Sequence, residues 1–396
     1  MTFPLMSAGL LRRHPERPGA ALALLYFTNS FGAAIGVLVS GFLLIDRLGL
    51  PGTIQLAGAL NLGLAAVVWL LARNPDPAPV PDPASTPGQG VPSAPVSVRL
   101  MLAIAFLTGM ASFIYEIGWI RMLSLVLGSA THSFELMLSA FILGLALGGL
   151  WVRGRIDRTP DTLRFLGLVQ VAMGIAALAT LPLYGATFDL MQVVIKGTAR
   201  TDAGYAIFLA SSHAIALVVM LPATFCAGMT LPLITFALLK AGRGERSIGA
   251  VYAANTLGAI VGVVAAAHVG MPLLGLKGLI MAGAVIDVAL GMLLLWRFTR
   301  SGAPRLAPIA TAASVVAFGL VMLGVTFDYH QMASGVFRRG EIFTAGDAGI
   351  KYYRDGKTTS VSLLDFEEGL SLRTNGKSDG AINMRPGKRI SDEITM

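Results

Sequence analysis

Residues 252–278 read YAANTLGAIVGVVAAAHVGMPLLGLKG, and residues 26–52 read YFTNSFGAAIGVLVSGFLLIDRLGLPG. The two stretches align without a gap at an offset of 226 residues (252 − 26 = 226). One tyrosine, one asparagine and four glycines are identical between the two stretches. In residues 26–52 they are Tyr26, Asn29, Gly32, Gly36, Gly49 and Gly52. A match at one fixed offset indicates an internal duplication. Both stretches are too apolar for a pair of soluble helices, so the repeat predicts a duplicated membrane protein.

The composition indicates the same class. Hydrophobic residues make up 55% of the chain and charged residues 13%, whereas charged residues are about 25% of a soluble domain. Several uncharged windows have the roughly 20 residues that a helix needs to cross a bilayer. We therefore predict an all-α polytopic membrane protein of about nine transmembrane helices, followed by a small C-terminal antiparallel β segment.

The distribution of charge sets the expected orientation and partners. The formal net charge is +8, but the basic residues lie in short loops between the predicted spans. The positive-inside rule assigns these loops to the cytoplasmic face, so the expected partner is a lipid bilayer and not nucleic acid. If every span crosses, residues 328–396 lie on the opposite face. The lone Cys226 excludes an intrachain disulfide and a cysteine-cluster metal site, and no metal site is predicted.

The chain divides into five predicted parts. They are a remnant of a first membrane half with its last two spans (1–73), a Pro-rich extended linker (74–98), a complete second half of about six spans (99–300), an additional span (301–328) and a β segment (335–396). The chain start, MTFPLMSAGLL, is similar to MTLPLITFALL at 229–239, inside the fourth span of the second half. This similarity predicts that four spans are missing before residue 1. Pro222 and Pro232 predict that the segment 205–240 is one span plus a broken or interfacial piece.

The C-terminal segment alternates polar and apolar residues, as in half-buried strands. The dipeptides Asp355-Gly356 and Asn375-Gly376 are typical of tight turns, and Glu368-Gly369 separates two of the strand-like runs. We therefore expect a small antiparallel sheet here.

Three stretches carry a resemblance to a known family. They are YEIGWIRM (115–122) with SAFILGLALGG (139–149), the Tyr-x-x-Asn-x-x-Gly repeat, and YRDGKT (353–358) continuing to LRTNGKSD (372–379). Together they resemble the fused membrane and spermidine-synthase-like proteins of bacteria. These join a major-facilitator-like membrane region to an aminopropyltransferase domain.

The resemblance implies a multi-pass protein of the bacterial inner (plasma) membrane, linked to polyamine biosynthesis. The family reaction transfers an aminopropyl group from decarboxylated S-adenosylmethionine, the co-substrate, to an amine. Asp392-Glu393 resembles the segment that leads into the Rossmann-like part of a spermidine synthase, which is absent here. The resemblance therefore implies no catalytic residue and no cofactor bound by this chain alone, with a separately encoded synthase domain as a possible partner. Whether the chain is itself an enzyme stays open.

Polar residues inside or near the spans are candidate sites. Glu116 and Glu135 are carboxylates in apolar surroundings, which favours an intramembrane polar site with Arg121 as counter-ion. The alternative is that Glu116 pairs with Arg121 or a backbone group and fixes helix packing.

Small-residue spacings predict close helix packing, the alternative being ordinary glycine usage in membrane helices. They occur at Gly32 and Gly36, Gly258 and Gly262, and Gly144 and Gly148. In the tail, Asp379, Asp392 and Glu393 are candidates for holding a cationic polyamine, the alternative being a solvated hairpin.

Two further interpretations compete with the polyamine link. One is a transporter-like or scaffold membrane protein without catalysis, whose duplicated halves form a path or a docking surface. The other is a non-functional gene fragment.

Overall fold

The chain folds into a helical bundle with a small sheet at one end, as seen in a computed structural model. The structure describes residues 2–13, 15–73, 97–244, 246–298, 305–367 and 369–383. Most of the predicted linker, together with Asp392 and Glu393, lies outside these ranges.

Helices account for most of the described chain. Their bounds are α1 Thr2–Arg13, α2 Pro18–Val39, α3 Ile45–Ala72, α4 Val98–Leu127, α5 Thr131–Arg153, α6 Thr162–Gly197, α7 Asp202–Lys240, α8 Arg246–Ala265, α9 Met271–Phe298, α10 Leu306–Gly324, α11 Tyr329–Ser334 and α12 Val336–Arg339. Among the described residues, seven helical stretches are long and apolar enough to cross a membrane. Two of the seven, Pro18–Leu71 and Arg246–Phe298, each join two helices, and these are the stretches that contain the sequence repeat.

The two copies of the repeat share the same backbone irregularities. A five-residue π-helical turn joins α2 to α3 at Ser40–Leu44 and α8 to α9 at Ala266–Gly270. Helical geometry then breaks at Gly49 (φ 66°, ψ 173°) and at Gly275 (φ 66°, ψ −174°). This combination of angles is accessible essentially only to glycine. The nine predicted spans count each of these stretches as two, one on either side of its glycine.

The bundle is built from pairs of neighbouring helices. Helix α4 packs against α8 and α9, α5 packs against α2 and α7, and α6 packs against α7 and α9. Tyr115, Trp119 and Phe188 are among its largest fully buried side chains. Helix α3 contacts mainly the π-helical turn that precedes it and exposes apolar side chains such as Leu62, which is 75% exposed.

The predicted interruption of the fourth span needs correction. Helix α7 runs without a break from Asp202 to Lys240, with Pro222 and Pro232 inside it. Each proline removes one backbone hydrogen bond. Buried membrane helices tolerate this loss because neighbouring helices and Ser or Thr side chains bond the freed groups. Nearby, the Thr224 hydroxyl donates to the Met220 carbonyl (2.9 Å).

Four antiparallel strands follow the bundle in simple order. Their bounds are β1 Gly349–Asp355, β2 Ser360–Phe366, β3 Gly369–Thr374 and β4 Lys377–Ile382. Asn375 (φ 48°) and Gly376 (φ 77°) form the β3–β4 turn, as the dipeptide predicted. The start of the predicted β segment needs correction, because Val336–Arg339 forms the short helix α12 between two left-handed glycines, Gly335 and Gly340. The short helix α11 precedes Gly335.

The sheet and the Arg-rich loops lie at opposite ends of the bundle. Ser129, just before α5, bonds to Asn375 of the sheet. Helix α5 then extends 23 residues, about 34 Å, to Arg153 and the loop that contains Asp157. At that far end, the Asp157 carboxylate accepts hydrogen bonds from the amides of Gly19 and Ala20 (2.9 and 2.8 Å) and caps α2.

Candidate functional site

Arg121 joins the sheet to the bundle. It lies near the end of α4 and is 8% exposed. Its guanidinium donates to the Thr358 carbonyl, to Asn375 Oδ1 (3.4 Å) and to Ser360 Oγ (3.3 Å), and so binds both turns at one end of the sheet. The expected pairing of Arg121 with Glu116 needs correction. Among the described residues, no cation lies within ion-pair distance of Glu116.

A network of hydrogen bonds continues from Arg121 through the sheet. Asp355 Oδ1 accepts from Ser360 Oγ (2.6 Å) and from the Tyr353 hydroxyl (3.1 Å). Burial, and then the charge of Asp355, raise the pKa of Tyr353 well above its usual range. The phenol is therefore protonated and acts as a donor at neutral pH. Asn375 closes the network, because its Oδ1 accepts from the Ser360 amide (2.9 Å) while its Nδ2 donates to Ser129 Oγ (3.0 Å).

A cleft of about 490 Å³ opens beside this junction. It lies between the α4–α5 turn, the first turns of α7 and the β3–β4 hairpin. Its polar lining includes Ser129, His132, Asn375, Lys377 and Asp379, and its aromatic lining comprises Tyr205, Phe208 and Phe337. Lys377 and Asp379 form a loose, partly exposed ion pair (3.9 Å).

Glu135 lies directly behind the cleft. Its Oε2 is 2.9 Å from Nδ1 of His132, which lines the cleft. The His132 ring stacks on Phe42 at 4.6 Å between ring centroids. Phe42 and Gly41 belong to the π-helical turn after α2, and Gly41 has no side chain, which leaves room for the Glu135 carboxylate. The cleft is therefore connected to the first copy of the repeat through one histidine.

A second buried carboxylate lies within the bundle. Asp287 of α9 is completely buried and accepts a hydrogen bond from the Tyr115 hydroxyl (2.7 Å). Its other oxygen, Oδ1, has no hydrogen-bond partner among the described residues. Tyr115 also stacks on Trp119, whose Nε1 donates to Thr180 Oγ1 (3.1 Å). Asp287 therefore belongs to a polar core separate from the cleft.

The predicted glycine contacts divide into two groups. Gly144 and Gly148 lie against Thr224 and Phe225 of α7, while Gly258 and Gly262 lie against Phe106 and Met110 of α4. The expectation of close packing at Gly32 and Gly36 needs correction, because a Cβ at either position would meet nothing within 4 Å. The reason is that α8 packs along α4, whereas no described helix covers the matching face of α2.

The structure brings together only part of the predicted site. Asp379 lines the cleft and Glu135 lies behind it, whereas Glu116 is half-buried on α4, away from the cleft. Sequence reasoning missed His132 and Ser360, and it assigned Asn375 only a turn. The spacing of His132 and Glu135, three residues apart at the start of a helix, was the available signal for that pair. Among the described residues, no group of three or more His, Cys, Asp or Glu side chains could hold a metal ion.

Comparison with known proteins gives one distant similarity. No protein-family model and no solved structure matches the chain. Polyamine aminopropyltransferase 2 of Streptomyces coelicolor is 28% identical over 262 residues. The match covers 62% of this chain and 44% of that protein, so the chain spans less than half of its relative. This similarity supports a relationship to spermidine-synthase-like proteins and a link to polyamines.

Proposed function

We propose that this chain is a membrane-embedded, polyamine-binding part of a spermidine-synthase-like system. The cleft beside the Arg121 junction, which we call the amine cleft, holds the cationic amine. The observation that carries the proposal is the position of Asp379 in a cleft formed jointly by the sheet and the bundle. The distant similarity to a polyamine aminopropyltransferase supports the choice of ligand.

The chemistry of the cleft suits an extended polyamine. Asp379 offers a carboxylate at the sheet side, and Glu135 places a second one behind His132. The faces of Tyr205, Phe208 and Phe337 attract ammonium groups through cation–π interactions worth about 0.5–1 kcal/mol at exposed sites. An incoming ammonium would displace Lys377 from Asp379. This exchange costs little, because an exposed ion pair contributes about 0–1 kcal/mol.

The rigid junction explains why the sheet takes part in this site. Arg121 and Asn375 hold the β3–β4 turn against the bundle, so Asp379 is fixed relative to α5 and α7. The proposal assigns amine binding to the described residues. Aminopropyl transfer from decarboxylated S-adenosylmethionine would require a nucleoside-binding domain, supplied in the same polypeptide or by a separate one. The long apolar helices and the bacterial relative support the bacterial inner membrane as the location.

Calorimetric titration of the protein in lipid nanodiscs with putrescine and spermidine tests the proposal. Asp379→Asn should weaken spermidine binding about 2- to 5-fold, equivalent to about 0.4–1 kcal/mol for one partly exposed charge contact. Asp365→Asn is the matched control, because Asp365 is an equally exposed carboxylate of the same sheet that pairs with Lys351 outside the cleft. Absence of binding by the unmodified protein, or equal weakening by both variants, would contradict the proposal.

A further inference from the structure

A second cavity, of about 530 Å³, lies on the other side of the aromatic wall of the amine cleft, and we call it the arginine cavity. It is bounded by the end of α6, the start of α7 and helix α12. Three exposed arginines line it: Arg200, Arg338 and Arg339. Tyr205, Phe208 and Phe337 contribute to both cavities.

The positive charge of this cavity is not neutralised by the protein. None of the three arginines has an acidic partner within ion-pair distance among the described residues. Asp202 is the one carboxylate in the described lining, and Glu341 follows α12 in the chain. Burial, and then the charges of Arg338 and Arg339, lower the pKa of the neighbouring Arg373. Cations that repel one another in this way create a local field that attracts an anion.

The start of α7 adds backbone donors to the same place. Thr201 caps the helix, with its side chain accepting from the Gly204 amide (3.2 Å) and its carbonyl accepting from the Tyr205 amide (2.9 Å). Asp202 and Ala203 precede these residues in the first turn, and their amides have no acceptor within the helix. The 39-residue helix also places the positive end of its dipole here.

The fold holds the arginines in position. Gln192 of α6 donates to the Gly340 carbonyl (2.9 Å), which fixes the end of α12. Arg373 of the sheet donates to the carbonyls of Ala333 and Ser334 (2.9 and 3.1 Å), just before α12 begins. The arginine cavity is therefore a formed site, supported by both the bundle and the sheet.

The cavity lies where a membrane helix would meet lipid headgroups. Tyr205 is 51% and Ile207 54% exposed on the outer side of α7. Tyrosines are enriched at the boundary between the hydrocarbon core and the headgroups. Ile195 and Phe208 give the cavity an apolar side next to its basic side. A molecule that carries both a phosphate and acyl chains matches this arrangement.

We propose that the arginine cavity binds the phosphate of an anionic phospholipid, with Arg200, Arg338 and Arg339 contacting phosphate oxygens and the acyl chains lying along α7. Guanidinium groups bind phosphate through paired, charge-assisted hydrogen bonds, which distinguishes them from lysine. The proposed phosphate contacts come from arginines outside the amine cleft, although the two cavities share three aromatic side chains.

Native mass spectrometry of the delipidated protein tests the proposal, with phosphatidylglycerol, phosphatidylcholine and inorganic phosphate as separate probes. The unmodified protein should retain phosphatidylglycerol in preference to phosphatidylcholine. The double variant Arg338→Gln/Arg339→Gln should bind phosphatidylglycerol with an apparent affinity about 10-fold lower, because each substitution removes one charge-assisted contact with the phosphate. The control Arg354→Gln removes an exposed arginine of strand β1 outside the cavity and should leave binding unchanged.

Arg338→Lys/Arg339→Lys separates binding from folding. It keeps the charge but not the paired hydrogen bonds, so it should recover only part of the lost affinity. If misfolding caused the loss, thermal denaturation would show a lower melting temperature in the glutamine variant than in the unmodified protein. Equal retention of the two lipids, or unchanged phosphatidylglycerol binding in the glutamine variant, would overturn the proposal. So would saturable binding of inorganic phosphate without any retention of lipid, since the source would then be a free anion.

Discussion

Arg121 donates hydrogen bonds to sheet residues that are 237 to 254 positions away in the chain. Its Nε has no partner among the described residues, so the side chain depends on these contacts to compensate for its burial. Losing the sheet would remove the groups that compensate the buried cation, and losing Arg121 would remove the donor to the Thr358 carbonyl. Asn375 Oδ1 would keep only its bond from the Ser360 amide. The junction is therefore sensitive to either change.

Arg121→Gln should release the sheet from the bundle while the helices stay folded. The loss of charge-assisted hydrogen bonds should cost about 2–3 kcal/mol. Amide hydrogen exchange in β1 to β4 should accelerate roughly 30- to 150-fold, with little change in α4 to α9. Arg354→Gln, an exposed change on β1, is the control. Unchanged exchange in the strands would show that other contacts hold the sheet.

The partner of Arg121 could not be predicted from the local sequence. Glu116 and Arg121 are five residues apart, and five steps of an α-helix turn the chain by about 500°, so the two side chains leave different faces. The contact that forms joins distant parts of the chain, and its acceptors are a carbonyl, a hydroxyl and an amide. No charge pattern marks such groups. Asp379 could be singled out only through the family resemblance.

At the scale of elements, the two copies of the repeat have different surroundings. Gly258 and Gly262 allow α8 to lie directly on the backbone of α4. Gly32 and Gly36 are the matching positions of α2, and they face open space. The same glycine spacing therefore has an observed packing role in only one copy.

This difference predicts opposite effects for one substitution. Gly262→Ala should destabilise the protein by about 1–3 kcal/mol, because the added methyl group would collide with the backbone at Met110. Gly36→Ala should be neutral or stabilising by up to about 1 kcal/mol, because alanine is the better helix former. Thermal unfolding in detergent measures both. A similar loss of stability in the two variants would contradict the packing seen here.

The helices themselves were largely predictable, because apolar windows and charged loops mark their ends. Six long helices, α4 to α9, occupy the segment predicted as the second half (99–300), and α10 lies in the segment predicted as the additional span (301–328). The prediction failed at Pro222 and Pro232, where burial between helices outweighs the intrinsic effect of proline. It also missed α11 and α12, which have six and four residues and are too short to show periodicity.

For the whole molecule, the separation of the Arg-rich loops from the sheet implies two chemically different ends. One end carries the loops after α5 and α7, and the other carries the amine cleft and the arginine cavity. The alternation of spans could be counted from the sequence. The docking of the sheet could not, because it depends on side chains from both parts.

Cysteine labelling should show these two ends on opposite sides of the membrane. In a background with Cys226 replaced by alanine, we expect Lys357→Cys to react with an impermeant maleimide from outside the cell. Lys240→Cys should react only after the membrane is opened, since the positive-inside rule places its loop in the cytoplasm. Both residues are exposed, so access to the two sites is comparable. Labelling of both from the same side would contradict this orientation.

The break in helical geometry at Gly275 creates a point of attachment for the sheet. An uninterrupted helix would bond the Leu276 amide to its own preceding turn, but a helix that restarts leaves its first amides unpaired. The carboxylate of Asp355 in the sheet accepts a hydrogen bond from the Leu276 amide, with 3.4 Å between Oδ2 and the nitrogen. The backbone at Gly49 has the same shape. If Gly49 carried a Cβ, however, the nearest atom would belong to Pro51 and not to the sheet. The same bend therefore joins the sheet to the bundle at Gly275, whereas no residue of the described sheet meets it at Gly49.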